Sequence, residues 1–253
     1  MSEAILIASY GARAVQGRLP GLELLQKEIS ERTSLPVAQA YFHKALIAER
    51  PETSLESQMK CLLQYAPEKL TVLPTFLTQG KTWTAFQEQI SGYKAQFREV
   101  RILPTVLEPG SNREALARLL TALPGLDKHR RCLFVGHGAG DETDGLYLDM
   151  EKRLQAQGFA NVNFALLHGT PDTADVLRTW SSDGRQSVEV LVVPFLVSSG
   201  RHMTTDIFGN SAGSISNILR SAGYWPELLP LSLLDYSVFR SYLSQLCISA
   251  VSL

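Results

Sequence analysis

Three histidines stand at matching places in the second half of the chain. His137 lies between two glycines in Gly136-His137-Gly138, directly after the apolar run 132–135. His168 closes the apolar run 162–167, and His202 follows the run 188–193 and the loop Pro194-Phe195-Leu196-Val197-Ser198-Ser199-Gly200. Each run is long enough for a buried strand. The glycines let the backbone turn tightly and strip side-chain cover from His137. In a parallel sheet, with strands ~4.8 Å apart, the loops that leave the C-terminal ends share one edge, and that edge is where open α/β sheets bind ligands. Three neutral imidazoles converging there suit Co²⁺, Ni²⁺, Fe²⁺ or Zn²⁺ and suit Mg²⁺ and Ca²⁺ poorly, since those ions prefer oxygen. An imidazole, with an ordinary pKa near ~6.5, also serves as a base close to neutrality. The competing reading is three unrelated loop histidines. Only five histidines occur in the chain, and three at equivalent strand ends weigh against it.

The elements that must position these histidines read as alternating strands and helices. Strands are expected at 4–8, 37–42, 70–73 and 100–103, with helices at 20–32, 53–65, 82–96 and 111–123. Thr53-Ser54-Leu55-Glu56 and Ser111-Asn112-Arg113-Glu114 each have the form of a capping box. After the polar, turn-rich break Pro124-Gly125-Leu126-Asp127-Lys128 the order restarts. Strands are expected at 132–135, 162–167, 188–193 and 227–229. Helices are expected at 144–157, from 172 or 173 to 180, after residue 200, and at 237–249. This alternation implies α/β architecture with parallel sheets covered by helices on both faces.

The second half repeats the first. ILIASYGA matches CLFVGHGA, His43 matches His168, VLPTFLTQGK matches VVPFLVSSGR, and ILPTVLEPGS resembles LLPLSLLDYS, at separations between 120 and 127 residues. A repeat at one spacing signals internal duplication. The expected organisation is therefore two similar α/β domains, 1–125 and 126–253, facing across a cleft, the histidine site belonging to the second. The strongly apolar helix 237–249 has more apolar surface than one sheet face requires, and is expected to cross back onto the first domain or to join a partner subunit. Chemically the halves differ: Tyr10 stands where the second has His137, and Thr82 where it has His202.

Composition narrows the function. The chain has 253 residues, 45% hydrophobic and 19% charged, and a formal net charge of −1. That fits a compact protein with a large core and argues against nucleic acid as a partner, which would call for a basic face. Three widely spaced cysteines make neither a zinc knot nor a disulfide frame. The opening MSEAILIAS has no signal-peptide pattern, and no apolar run reaches the ~18 residues that span a bilayer. A reduced, cytoplasmic protein without a membrane partner is expected. A homo-oligomer fits the composition equally well.

Gly136-His137-Gly138-Ala139, the strand ending at His168, and Gly200-Arg201-His202-Met203-Thr204-Thr205-Asp206 resemble the class II tetrapyrrole chelatases. The likeness is greatest to the anaerobic sirohydrochlorin cobaltochelatases of the long, two-domain type and covers nearly the whole chain. The resemblance implies a lyase that inserts a divalent metal, Co²⁺ first and Ni²⁺ or Fe²⁺ next, into a tetrapyrrole in the inter-domain cleft, with no organic cofactor. It implies that His137 and His202 bind metal and take pyrrole protons, so that both are catalytic, with His168 as third ligand. The family commonly has a glutamate at that third place; a histidine there exchanges an anionic ligand for a neutral one. A flat apolar slot for the macrocycle is expected from Tyr10, Phe76, Leu77, Trp83, Phe195 and Leu196. Cations for its carboxylates are expected at Arg13, Lys81 and Arg201. Tyr10, Lys81, Trp83 and Arg201 are the foremost substrate-binding candidates. For Trp83 and Phe195, ordinary core packing is the competing reading. Asp206, four residues after His202, is placed to orient that imidazole.

Two other classes of function compete. A non-catalytic tetrapyrrole or metal carrier would use the same histidines as permanent ligands. A serine esterase would use Ser211 in Gly209-Asn210-Ser211-Ala212-Gly213 with His137-Gly138-Ala139-Gly140 as oxyanion loop. Against the esterase, no strand pattern precedes Ser211 and no histidine follows it.

Overall fold

A computed structural model describes residues 2–11, 20–140, 142–184 and 187–251; Arg13 lies outside them. Strands β1 (Glu3–Ser9), β2 (Val37–Tyr41), β3 (Lys69–Pro74) and β4 (Glu99–Ile102) alternate with helices α1 (Pro20–Thr33), α2 (Lys44–Glu49), α3 (Leu55–Leu63) and α4 (Lys81–Ser91). After α5 (Arg113–Leu120) come β5 (Arg131–Gly136), α6 (Asp144–Ala156), β6 (Val162–Leu166), α7 (Thr173–Ser182) and β7 (Glu189–Phe195). A π-helix, His202–Ile207, then α8 (Ile215–Ser221), β8 (Trp225–Leu228) and α9 (Ser237–Val251) complete the chain. The strands form two parallel four-stranded sheets, ordered β2-β1-β3-β4 and β6-β5-β7-β8. The identical order is the duplication expressed in topology, and each set is a parallel α/β sheet carrying helices.

The halves do not part at residue 125. One unit comprises Met1–Ser111 with Leu234–Leu253, the other Asn112–Leu233. Two physical causes move the boundary. Helix α5 packs on α6, where Arg113 and Arg153 both bridge to Asp149 (2.9 and 2.8 Å) and Arg153 also reaches Glu114 at 3.2 Å. Helix α9 returns to α1: the Arg240 guanidinium, buried, donates to Glu28 at 2.8 Å and to the Leu234 carbonyl at 2.8 Å, and Arg32 donates to Ser244 at 3.2 Å.

Central strands β1 and β5 are apolar over Ala4–Ala8 and Cys132–Val135, which are buried because both sheet faces are covered there. In the first unit α3 and α4 bury Met59, Leu62, Trp83, Phe86 and Ile90 against Leu6, Ala8 and Val72. In the second, α7, the π-helix and α8 bury Val176, Trp180, Met203, Ile207 and Leu219 against Leu133, Val135, Val190 and Val192. The opposite face of that sheet holds an aromatic stack in which Phe164 lies 5.1 Å from both Phe134 and Phe195. The helix caps fall one residue beyond the expected boxes, with Ser54 accepting from the Ser57 N–H and Asn112 from the Ala115 N–H. Among the described residues no helix is long and apolar enough to cross a membrane.

Candidate metal centre

The parallel order brings β6, β5 and β7 side by side with β5 in the centre, so the loops bearing His168, His137 and His202 leave one edge. Ladder pairing continues beyond the strands: Leu167 N–H donates to the Gly136 carbonyl (3.0 Å) and His168 N–H to the His137 carbonyl (2.8 Å). The close approach needs glycine. Gly138 has φ +70°, and a Cβ there would meet Leu166 Cβ at 2.9 Å and the Gly169 nitrogen at 3.2 Å. His202 opens the π-helix, a form of helix that occurs mostly as single turns, frequently at functional sites.

The three rings converge. Their centroids are 4.9 Å apart for His137 and His168, 4.8 Å for His137 and His202, and 5.4 Å for His168 and His202. One ring nitrogen of each lies within 4.8 Å of the others. Nitrogens that share a tetrahedral ion at ~2.1 Å sit ~3.4 Å apart, so small ring rotations would draw the set together. His137 and His168 are exposed and His202 half-buried, leaving the ligand atoms open to a large partner.

Hydrogen bonds fix two of the tautomers. His137 Nδ1 lies 2.7 Å from the Gly138 carbonyl, which only accepts, so Nδ1 carries the proton and Nε2 of the neutral ring keeps its lone pair. His202 Nδ1 lies 2.6 Å from Asp206 Oδ2, and the carboxylate likewise makes it the donor. A carboxylate behind an imidazole holds its ring plane and fixes its tautomer. Asp206→Asn is therefore expected to weaken Co²⁺ binding by ~10–100-fold, as read by calorimetric titration of the metal-free protein; unchanged affinity would remove Asp206 from the site.

Loss of solvent around the ring, then the proximity of His202 and His168, hold His137 below the ordinary imidazole range, while its bond to the Gly138 carbonyl pulls the other way. A depressed pKa keeps the ring neutral, and so able to ligate or take a proton, to lower pH than a free histidine. The His137 ring resonance, identified by its loss in His137→Ala, is expected to titrate with a midpoint below ~6.5 in the metal-free protein; a midpoint above that value would contradict the environment described.

Of the other expected site residues, Arg201 is exposed beside His202. Tyr10 and Lys81 belong to the first unit, both exposed just past strands β1 and β3; the Tyr10 ring meets His43 edge-on at 5.1 Å. His43 caps α2, its Nδ1 accepting from the Leu46 N–H at 3.3 Å. Trp83 does not line a surface. It is 1% exposed and packs within 5.3 Å of Phe76 and 5.9 Å of Phe86 in the core of the first unit. Trp83, Phe86 and Ile90 form the buried stripe of α4, so the competing reading of core packing is the one the structure shows. Phe195 is likewise core, at 0% exposure. Ser211 is exposed in a turn between the π-helix and α8, not on the strand-to-helix elbow that an esterase serine requires. Asp144, which the sequence shows only as a helix start, proves to hold the His137 and His168 loops: it accepts from Ala139 N–H at 2.8 Å and Thr170 N–H at 3.1 Å.

A duplicated parallel α/β fold with three imidazoles gathered on one sheet edge has the makings of a transition-metal site, and the family the chain belongs to makes it a metal chelatase, a lyase. The chain belongs to the cobalt chelatase (CbiK) family, whose model matches residues 3–250. Among solved structures, SirB from Bacillus subtilis with Fe³⁺ superposes with a TM-score of 0.70 at 13% identity, covering 100% of this chain and 98% of that one. CbiX, described as the terminal enzyme for siroheme biosynthesis in denitrifying bacteria, gives 0.63 at 17% identity over 97% and 98%. The sirohydrochlorin chelatase SirB from Bacillus subtilis subspecies spizizenii in complex with cobalt gives 0.64 at 12% identity over 100% and 94%. At these identities the three share the fold. No curated protein sequence matches the chain.

Proposed function

We propose that this chelatase inserts Co²⁺ into a sirohydrochlorin-class tetrapyrrole, with His137, His168 and His202 as the ligands that deliver the ion. The observation that carries the reading is the convergence of three imidazole nitrogens within 4.8 Å at an open sheet edge. Nitrogen ligands of this kind suit Co²⁺, Ni²⁺, Fe²⁺ and Zn²⁺ without selecting among them. Family membership supports cobalt, and the names of the solved neighbours support sirohydrochlorin as acceptor.

Insertion exchanges bonds in a fixed balance. Three imidazole–metal bonds break, four macrocycle nitrogens bind the ion, and two pyrrole N–H protons must leave. His137 is the first acceptor: released from the metal, its neutral Nε2 has a free lone pair, because Nδ1–H is engaged by Gly138. His202 takes the second proton on Nε2, its Nδ1–H being engaged by the Asp206 carboxylate. Both then lose their protons to solvent. His168 is a neutral third ligand where the resemblance leads one to expect an anion, so the site holds the ion without neutralising its charge, which favours transfer to the dianionic macrocycle. Arg201, Lys81 and Tyr10 are assigned to the macrocycle and its carboxylates on the strength of their exposure.

The test is to mix purified protein with sirohydrochlorin and, in separate anaerobic cuvettes, Co²⁺, Ni²⁺ and Fe²⁺, and to follow the visible spectrum. Repeated turnover, fastest with Co²⁺, is expected. A shift that stops at one equivalent would mean a carrier. No shift with any metal would refute the substrate assignment.

A further inference from the structure

The His137 and His168 loops leave adjacent strands, and beyond the ladder bond between His168 N–H and the His137 carbonyl they are tied by one side chain. Asp144, in the first turn of α6, is 5% exposed. Its Oδ1 accepts from the Ala139 N–H at 2.8 Å and its Oδ2 from the Thr170 N–H at 3.1 Å. Ala139 lies two residues past His137, and Thr170 two residues past His168. The carboxylate thus grips both loops at the same step beyond their histidines. It is seated so closely that a Cβ on Gly169 would lie 2.1 Å from Asp144 Oδ2, so glycine there makes room for the clamp. A carboxylate only accepts, and it offers two oxygens to two donors. No neutral side chain of that size can serve both N–H groups with strong charge-assisted bonds.

We infer that Asp144 is a positioning residue that sets the separation of His137 and His168 and thereby the affinity of the site for its metal. The inference rests on the reading of these histidines as metal ligands. Asp144 is not one of the three clustered histidine donors; it acts through the two loops. His202 is outside its reach and is held by Asp206 instead, so the set is preorganised by two independent carboxylates, one for a pair of ligands and one for the third.

The experiment compares Asp144→Asn with the native chain by Co²⁺ titration, following the visible d–d absorption of the bound ion, with thermal melts alongside. The amide keeps the shape but presents an NH₂ to one of the two N–H donors. The expected result is a Kd for Co²⁺ raised ~10-fold or more and a weakened d–d band in a protein that still melts cooperatively. Should the amide variant fold poorly, Asp144→Glu, which retains both acceptors but shifts them by a methylene, carries the same comparison with the same expectation. His168→Ala is measured in parallel and combined with Asp144→Asn. Because Asp144 works through His168, its effect must shrink in the His168→Ala background, which a general loss of stability would not produce. If His168→Ala weakens binding while Asp144→Asn leaves Kd and spectrum unchanged, or the two effects simply add, the positioning role is wrong. If His168→Ala itself changes nothing, the metal reading on which the inference stands has failed.

Discussion

Replacing His137 with alanine is expected to lower the rate of metal insertion at least ~10²-fold while leaving the fold intact. The side chain is exposed on a glycine-flanked loop, and the bond it gives up, to the Gly138 carbonyl, is local. Exposed substitutions away from special features usually change stability by no more than ~0.5 kcal/mol, so the thermal melt should barely move. The rate, by contrast, would lose together the ligand and the base proposed for this residue. His137 makes the two shortest ring contacts in the set, at 4.9 and 4.8 Å, so its removal leaves only the His168 and His202 rings, 5.4 Å apart. Initial rates of the spectral change at saturating Co²⁺ give the answer. Insertion at the native rate by a folded His137→Ala protein would remove both roles from this residue.

The second large effect concerns stability. Trp83→Ala is expected to cost ~3–5 kcal/mol, a large share of the ~5–15 kcal/mol by which domains are stable. The indole is the largest fully buried side chain in the chain's described residues and lies among Phe76, Phe86 and Ile90 on the inner stripe of α4. Removing it leaves a cavity that the surrounding rings fill only in part. Trp83→Phe should cost far less and keep activity. Urea unfolding measures the first quantity and steady-state kinetics on the folded protein the second. A raised KM for the tetrapyrrole with unchanged stability would return Trp83 to the substrate surface.

How much of this was legible depends on the range of the interaction involved. The three histidines could be read because a parallel sheet leaves its loops little choice: three apolar runs in β-order, each followed by a segment that carries a histidine, must present those residues on one edge. The duplication was legible for the same reason, since ILIASYGA and CLFVGHGA encode the same buried strand and turn. Trp83 was misplaced by its nearness to a strand-end loop, although its spacing with Phe86 and Ile90 pointed inward. The π-helix left no trace, because a single turn of i→i+5 bonding has no sequence period. Asp144 was invisible as a clamp because its partners are peptide N–H groups, which every residue but proline carries. The boundary at residue 125 followed the polar break, whereas α5 follows its ion pairs to Asp149 and α9 follows Arg240 to Glu28.

In the proposed reaction the three-histidine site hands its own ion to the macrocycle. Protein loaded with one equivalent of Co²⁺, with free cobalt held by a weak competing chelator, is mixed anaerobically with one equivalent of sirohydrochlorin and followed in the visible region. The d–d band of protein-bound Co²⁺ is expected to disappear at the same rate, and in the same amount, as the metallated macrocycle forms. If the macrocycle gains its metal while the protein's cobalt band stays unchanged, the ion comes from elsewhere and His137, His168 and His202 are not its donors.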